Sequence, residues 1–280
     1  MWGRLVLASC SSSIYFDSTM FRRSEGFLAP VLTLVMVNST SNWVVGAMPV
    51  WTAITVTVIF AVLAYLVRGV SRSGAIAGGC CAFILYACAG WGAFAALVGV
   101  FLLAWLTTKW GYAHKRELGV AEKGGGRTAS QIFANLGVSA AFALLYAAFR
   151  HNEALLLAAG ASLAEAAADT VSSEFGQIRG ETARLITTWQ VVPAGTDGGI
   201  TLKGTAAGLF AAVVVGSVYA GTGEISWRQL LPLVLAATMG FLVDSFLGAS
   251  LENRELLNND SVNFLSTLFA ALVAVLLARV

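Results

Sequence analysis

The sequence predicts an all-α, polytopic integral membrane protein of about eight transmembrane helices. Of its 280 residues, 58% are hydrophobic and 11% are charged, whereas an average soluble domain is roughly 25% charged. Apolar stretches of about 17 to 25 residues recur along the chain, and each is long enough to cross a hydrocarbon core roughly 30 Å thick. Because lipid offers no partners to backbone polar groups, and the stretches lack the alternation of barrel strands, we expect helices.

Eight apolar stretches are the predicted spans. A further apolar stretch, at 27–46, is interrupted by polar residues from Asn38 to Asn42 and is either a ninth span or an interfacial or re-entrant segment. We therefore separate an N-terminal segment, 1–47, from a transmembrane domain, 48–280, which is expected to carry any catalytic site. The predicted spans are 48–67, 74–89, 91–107, 131–149, 154–172, 204–221, 230–248 and 261–278.

Lysine and arginine residues are divided unequally between the two sets of loops. The loops after the second, fourth and sixth spans and the C-terminal end carry only Arg150, Arg228 and Arg279. Because cytoplasmic loops are enriched in basic residues, the other set, which includes the long loops 108–130 and 173–203, is predicted to be cytoplasmic. That set carries Arg68, Arg72, Lys109, Lys115, Arg116, Lys123, Arg127, Arg179, Arg184, Lys203 and Arg254.

Composition also argues against several kinds of site. The four cysteines form no C-x-x-C pair and the two histidines stand far apart, so a zinc site, a haem motif or a disulfide framework is not predicted. The net charge is only +2, which gives no indication of a nucleic-acid partner. We expect membrane lipid to surround most of the fold.

Three carboxylates fall inside the predicted spans, and no lysine or arginine does. Glu165 and Asp169 are four residues apart, so they share one helix face toward the cytoplasmic end of span five, and Asp244 lies near the same end of span seven. An intramembrane carboxylate is costly without a partner, and oxygen ligands suit Mg²⁺ better than a soft metal. The group therefore predicts a Mg²⁺ site; the alternatives are a transported-cation site or protonated acids that serve helix packing.

A basic glycine-rich loop precedes span four, with the sequence A-E-K-G-G-G-R-T-A-S. Lys123 and Arg127 bracket its three glycines. Flexible backbone amides, two cations and a helix N-terminus can together hold phosphate oxygens, although G-x-x-x-x-G-K-[ST] is absent. The alternative is a basic loop that only sets the topology.

Further polar candidates lie on the same predicted face. Span five is followed by D-T-V-S-S-E-F-G, which contains Glu174, and then by a second glycine-rich loop that is either a binding loop or a linker. The segment N-N-D-S-V-N-F supplies more oxygen ligands. The alternative is that Asp260 is merely a helix N-cap without a further function. The candidate binding residues in these segments and in Q-I-F-A-N-L-G are Thr196, Gly198, Gly199, Lys203, Asn135 and Asn263.

These motifs, in this order, resemble the transmembrane-protein-19 family from about residue 50 to the C-terminus. They are A-E-K-G-G-G-R-T with Q-x-x-A-N-x-G, then A-D-T-x-x-S-E-x-G, P-x-G-T-x-G-G-I-T-L-x-G-T, and D-S-x-L-G-A leading to N-D-x-V-N-F-L-S-T-L. That family includes the plant phytyl-phosphate kinase of tocopherol synthesis. The segment from Asp169 to Gly176 is also similar to the D-x-x-A-x-x-x-G element of CTP-dependent polyprenol kinases, with Ser172 in place of the alanine.

The resemblance implies phosphoryl transfer from a nucleoside triphosphate, with CTP as a candidate, to an isoprenoid monophosphate. We expect Mg²⁺ on Asp169, Asp244 and Glu165 or Glu174, with Asp260 as a further ligand, while Lys123, Arg127 and Lys203 contact phosphates. The chief alternative is a cation-coupled secondary transporter that uses the intramembrane acids. A third is a noncatalytic lipid-binding protein.

Overall fold

The described part of the chain confirms a membrane-spanning helical fold. The computed structural model describes residues 50–110, 125–149, 152–177 and 182–278, all within one compact unit. The segment 27–46 and Lys123 lie outside these residues. Seven helices of the described residues are long and apolar enough to cross a membrane, and α1 is a shorter apolar helix. The helices are α1 (Val50–Leu66), α2 (Arg72–Ala89), α3 (Trp91–Lys109), α4 (Ala129–Ala148), α5 (Glu153–Gly176), α6 (Leu202–Gly221), α7 (Leu230–Leu247) and α8 (Asn259–Leu277).

Polar caps explain why four helices begin two residues before the predicted spans. Ser71, Thr128, Thr201 and Asn258 precede α2, α4, α6 and α8, and each side chain accepts a hydrogen bond from a first-turn amide. Thr128 also forms a reciprocal capping box with Gln131. The apolar pattern starts only after such a polar first turn, so hydropathy alone places the start too late.

The central element of the bundle is α5, which packs against α3, α4, α6, α7 and α8. Its alanine-rich sequence allows close approach: a Cβ added to Gly208 of α6 would lie 2.7 Å from the Ala168 carbonyl oxygen. The predicted end of this span at 172 is wrong, because α5 continues to Gly176. The segment D-T-V-S-S-E-F-G is therefore helical, and only the residues after it form the loop.

The outermost described helix is α1, which packs mainly against α2. Phe60 also packs edge-to-face against Phe94 and Phe101 of α3, with ring centroids 5.5 and 5.4 Å apart. Val58 and Val62 are exposed on its outer side, as expected for a helix that faces lipid.

A small antiparallel sheet in the α5–α6 connection adds to the predicted all-α fold. Its strands are β1 (Ala183–Leu185), β2 (Val191–Val192) and β3 (Gly199–Ile200), in the order β2-β1-β3. Ala183 pairs with Val192, and Leu185 pairs with Gly199. The strands are short and lie between transmembrane helices, so they leave the membrane architecture unchanged.

Candidate functional site

Helices α1, α3, α5 and α7 end, and α2, α4, α6 and α8 begin, on one face of the bundle, which we call the loop face. There the glycine-rich segment before α4 runs beside the α1–α2 connection. The Arg127 amide donates to the Gly69 carbonyl at 3.1 Å, and the Ser71 amide donates to the Arg127 carbonyl at 3.0 Å. A Cβ added to Gly74 would lie 2.0 Å from the Arg127 carbonyl oxygen. Close backbone contact therefore explains Gly74 and fixes the position of Arg127.

The second glycine-rich loop packs against the end of α7. The chain there forms a π-helical turn, Gly248–Glu252. Gly198 has a φ of +74°, and a Cβ on it would lie 2.3 Å from the Ala249 amide nitrogen. The Asn253 side-chain amide donates to the Asp197 carbonyl at 2.9 Å, and partial burial raises the pKa of the Asp197 carboxyl above its ordinary range.

The other predicted residues of this loop have structural contacts. The Thr196 hydroxyl donates to the Pro193 carbonyl at 2.8 Å, and the Gly199 amide donates to the Thr196 carbonyl at 2.8 Å. Lys203 lies in the first turn of α6. Thr196 and Gly199 thus shape the turn, and Lys203 follows it on the loop face.

Three helices bring the intramembrane acids together with a serine that the sequence did not single out. We call Glu165, Asp169, Asp244 and Ser266 the acid cluster. Asp169 and Asp244 interact electrostatically, and the Ser266 hydroxyl donates to Asp244 Oδ2 at 3.1 Å. Glu165 is 1% exposed, and its Oε1 has no hydrogen-bond partner among the residues that the structure describes. The cluster thus combines a carboxyl pair with a buried third acid.

The depth of Glu165 differs from the prediction. It is the thirteenth of the 24 residues of α5, so it lies at mid-helix rather than toward the loop face. Asp169 lies one turn closer to the loop face. A Cβ added to Gly240 of α7 would lie 2.7 Å from Glu165 Cγ, so the absence of a side chain there makes room for the acid.

Two of the predicted metal ligands have partners on other helices. The Thr108 hydroxyl of α3 donates to Glu174 Oε1 at 2.7 Å. Because Glu174 is five residues after Asp169, it lies about 140° around α5 from that residue. Asp260 accepts a hydrogen bond from the Ser130 hydroxyl and so connects the first turns of α8 and α4.

The two predicted asparagines occupy different surroundings. Asn135 donates to the Gln131 carbonyl at 2.9 Å and lines a pocket described below. Asn263 donates to the Asn259 side chain at 3.3 Å, while its buried Oδ1 has no hydrogen-bond partner.

One further acid of the site was missed by the sequence analysis. Glu252, in the π-helical turn after α7, interacts electrostatically with both Asp197 and Asp169. In the sequence, the only indication of a role for Glu252 was its position shortly after the motif D-S-x-L-G-A. The π-helical turn is what brings Glu252 near the other acids. The acids therefore continue from the buried cluster to the loop face.

The carboxylates of the acid cluster are oxygen ligands of the kind that Mg²⁺ prefers. Within 50–110, 125–149, 152–177 and 182–278, no group of three or more His, Cys, Asp or Glu side chains is arranged to hold a metal ion by itself. Mg²⁺, however, is usually held by one or two carboxylates together with substrate phosphates and water. Asp169 and Asp244, which interact with each other across α5 and α7, are the residues that would hold such an ion.

A pocket of about 550 Å³ lies among α1, α2, α3 and α4, with Ala166 of α5 in its wall. We call it the α1–α4 pocket. Most of its wall is apolar, whereas its loop-face end carries three cations. The apolar side chains include Phe60, Ala64, Leu97, Val100, Phe101, Ile132 and Leu136, and the cations are Arg68, Lys109 and Arg127.

Arg127 belongs to both parts of the site. It lines the α1–α4 pocket, and its positive charge acts on the Asp169 carboxylate. The cationic end of an apolar pocket therefore lies next to a cluster of acids. Such an arrangement can hold an amphipathic anion beside a metal-bound group.

Comparison with known proteins identifies relatives in plants, cyanobacteria and archaea. Residues 55–271 match the family described as "Integral membrane protein DUF92". The chain is 31% identical to Protein VTE6, chloroplastic, of Arabidopsis thaliana, over 92% of this chain and 81% of that protein. It is 34% identical to an uncharacterized membrane protein of Methanocaldococcus jannaschii, over 78% of this chain and 91% of the relative.

A further uncharacterized membrane protein, from Synechocystis, is 33% identical over 69% of this chain and 76% of its own length. No solved structure matches the chain. The predicted family resemblance is confirmed by these matches.

Proposed function

Because this chain belongs to the integral membrane protein DUF92 family, we propose that it is a membrane-embedded kinase that phosphorylates an isoprenoid monophosphate. The motif resemblance to the family of the plant phytyl-phosphate kinase supports this activity. The observation that carries the proposal is that Arg127 lines the α1–α4 pocket and also interacts electrostatically with Asp169. The donor is a nucleoside triphosphate, with CTP as a candidate.

The acceptor binds with its hydrocarbon chain in the α1–α4 pocket. The pocket volume of about 550 Å³ lies within the range of roughly 300 to 1,000 Å³ that is typical of small-molecule sites. Its apolar wall suits a prenyl chain, and Arg68, Lys109 and Arg127 suit the attached phosphate. Charge-assisted hydrogen bonds from such cations are among the strongest polar contacts.

The donor phosphates bind on the side of the acid cluster. Asp169 and Asp244 would hold Mg²⁺, with Glu165 as an accessory group. When bound, the ion would neutralise negative charge on the donor phosphates. Arg127 reduces the repulsion between the acceptor phosphate and these acids because its charge lies between them.

The chemical demands on the protein are modest. An oxygen of the acceptor phosphate forms a bond to the terminal phosphorus of the donor, and the bond to the departing nucleoside diphosphate breaks. The acceptor oxygen is already anionic near neutral pH, so no dedicated general base is required. The protein mainly positions the two substrates and compensates their charge.

A cation-coupled transporter is the second candidate. The observation that favours it is Glu165, which lies at mid-helix and has an unpartnered buried oxygen. Secondary transporters commonly bind substrate and coupling ion near the bilayer midplane. This reading assigns no role to the cationic end of the α1–α4 pocket.

The test is a phosphoryl-transfer assay with purified protein, labelled CTP or ATP, a Mg²⁺ titration and a series of prenyl monophosphates. We expect Mg²⁺-dependent prenyl diphosphate from the wild type. Asp169→Asn and Asp244→Asn should each abolish turnover with little loss of melting temperature, because a neutral side chain removes the metal ligand but not the packing. Glu255→Gln, at an exposed acid of the loop face, is the matched control.

Two outcomes would contradict the proposal. One is wild-type turnover by both Asn variants across the Mg²⁺ titration, which would remove these carboxylates from the site. The other is cation-dependent substrate uptake into proteoliposomes without any phosphorylated product, which would identify a transporter.

A further inference from the structure

The α2 wall of the α1–α4 pocket is formed by residues without large side chains. Gly74, Ala75, Gly78 and Gly79 all line the pocket. Glycine inside a helix is unfavourable relative to alanine because it costs backbone entropy. Each glycine in this wall therefore requires a structural reason.

Packing supplies a reason for two of these glycines but not for the third. Gly74 lies against the Arg127 carbonyl oxygen, and a Cβ on Gly79 would lie 3.3 Å from Ala61 Cβ of α1. A Cβ on Gly78 would meet no atom of the described residues within 4 Å. No described helix comes close enough to require glycine there, and the space beside Gly78 belongs to the pocket.

The position of Gly78 along the pocket is set by helix geometry. Arg68, Lys109 and Arg127 mark the phosphate end on the loop face. Gly78 lies six residues into α2, about 9 Å from its start, whereas Leu97 lies about 18 Å along α3 from Lys109. Gly78 is therefore beside the middle of a chain that extends from the cations toward Leu97.

We propose that the α1–α4 pocket holds the isoprenoid chain and that Gly78 determines the length of isoprenoid that the pocket accepts. The missing side chain at Gly78 leaves room for the part of the isoprenoid that extends past this position, away from the phosphate. The identity of the phosphate end rests on the proposed function. The apolar wall and the three cations together suit one occupant, an amphipathic monophosphate whose chain enters the pocket. A larger side chain at position 78 would shorten the pocket without displacing a neighbouring helix.

The test is a graded series, Gly78→Ala, Gly78→Val and Gly78→Leu, assayed with geranyl, farnesyl and geranylgeranyl monophosphates. The kcat/KM for the longest chain should fall progressively, by about tenfold or more in Gly78→Leu, since exclusion of two methylene groups from an apolar site costs about that factor. The value for geranyl monophosphate should change by less than about twofold. Should Gly78→Leu not fold, the Ala and Val variants carry the same test.

Gly99→Leu is the matched control, because a Cβ on Gly99 also meets no atom of the described chain within 4 Å and Gly99 does not line the pocket. It should leave the chain preference unchanged. An unchanged preference in every folded Gly78 variant would overturn the proposal.

Equilibrium binding of labelled prenyl monophosphates in nanodiscs, without nucleotide, separates this inference from the proposed function. Binding that changes its chain preference in the Gly78 variants, but without nucleotide-dependent product, would support the pocket and reject the kinase. Turnover by the wild type with unaltered chain preference in the variants would support the kinase and reject the role of Gly78.

Discussion

At the scale of single residues, Arg68 combines an uncommon backbone conformation with a place in the proposed phosphate site. It follows α1 with a φ of 57°, in the left-handed region where glycine is favoured at helix ends. A residue with a Cβ pays about 1 to 2 kcal/mol for this conformation. The Arg68 side chain nevertheless lines the cationic end of the α1–α4 pocket. Position 68 therefore carries an arginine although its backbone conformation favours glycine.

Replacing Arg68 by glycine should therefore separate stability from binding. We expect Arg68→Gly to keep or raise the melting temperature, while the affinity for a prenyl monophosphate falls by at least about tenfold through loss of a charge-assisted contact. The measurements are thermal unfolding in detergent and equilibrium binding. Arg68→Ala is the comparison, since it should bind as weakly but melt lower. Wild-type binding by Arg68→Gly would exclude this arginine from the phosphate site.

The placement of the predicted site residues also shows what the structure adds to residue-level reasoning. The A-E-K-G-G-G-R-T segment predicted a phosphate-binding role for Arg127, and the structure adds that Arg127 is shared by a pocket and an acid cluster. Glu174 was predicted from its nearness in sequence to Asp169. Rotation along α5 turns it toward Thr108 instead, and that rotation depends on the helix continuing to Gly176.

At the scale of elements, the start of α3 shows how an acid from a loop caps a transmembrane helix. The Glu224 carboxylate in the α6–α7 connection accepts a hydrogen bond from the Gly92 amide at 2.9 Å. Partial burial raises the pKa of Glu224 above its ordinary range, and the Gly92 and Ala93 amides limit that rise. A carboxylate at a helix N-terminus also interacts favourably with the helix dipole.

The raised pKa predicts a pH-dependent contribution of Glu224 to stability. The folded protein holds this proton more tightly than the unfolded chain, so stability falls as pH rises from the ordinary glutamate range through the raised pKa. Glu224→Gln should lack the loss of stability that comes from ionising Glu224. Its melting temperature should therefore rise relative to that of the wild type as pH increases. Melting temperatures in detergent between about pH 4 and pH 8 would measure the difference.

Glu255→Gln, which also removes one carboxylate but at an exposed position, provides the control. Parallel profiles for wild type and Glu224→Gln would show that ionisation of Glu224 does not contribute.

At the scale of the whole molecule, α1, α3, α5 and α7 all end at the loop face, and the cations of the α1–α4 pocket lie toward it. The asymmetry of lysine and arginine predicts that this loop face is cytoplasmic. The phosphate end of the α1–α4 pocket would then be open to cytosolic nucleotide. The opposite face contains the Glu224 cap.

Cysteine accessibility tests this orientation. Cys10, Cys80, Cys81 and Cys88 are replaced by alanine, and single cysteines are introduced at Thr188 in the α5–α6 connection and at Ser226 in the α6–α7 connection, both exposed. In intact cells an impermeant thiol reagent should label only Ser226→Cys. After permeabilisation both variants should react. Labelling of Thr188→Cys alone in intact cells would reverse the topology.

The sequence by itself determined the membrane class, the eight apolar spans of the described region and the presence of carboxylates within them. These properties are local, because hydropathy, span length and the four-residue spacing of Glu165 and Asp169 can be read along one segment. Hydropathy placed the starts of four helices too late because their first turns are polar. It placed the end of α5 too early because the residues before Gly176 are polar as well.

Only the tertiary structure decided which of these segments form a site. The α1–α4 pocket, the contact of Asp169 with Asp244 and the place of Glu252 depend on how helices far apart in sequence rotate and pack. Small residues such as Gly74 and Gly198 permit backbone contacts whose partners no local pattern identifies. Side-chain direction and helix pairing are set by the whole bundle, because each helix buries its face against several others.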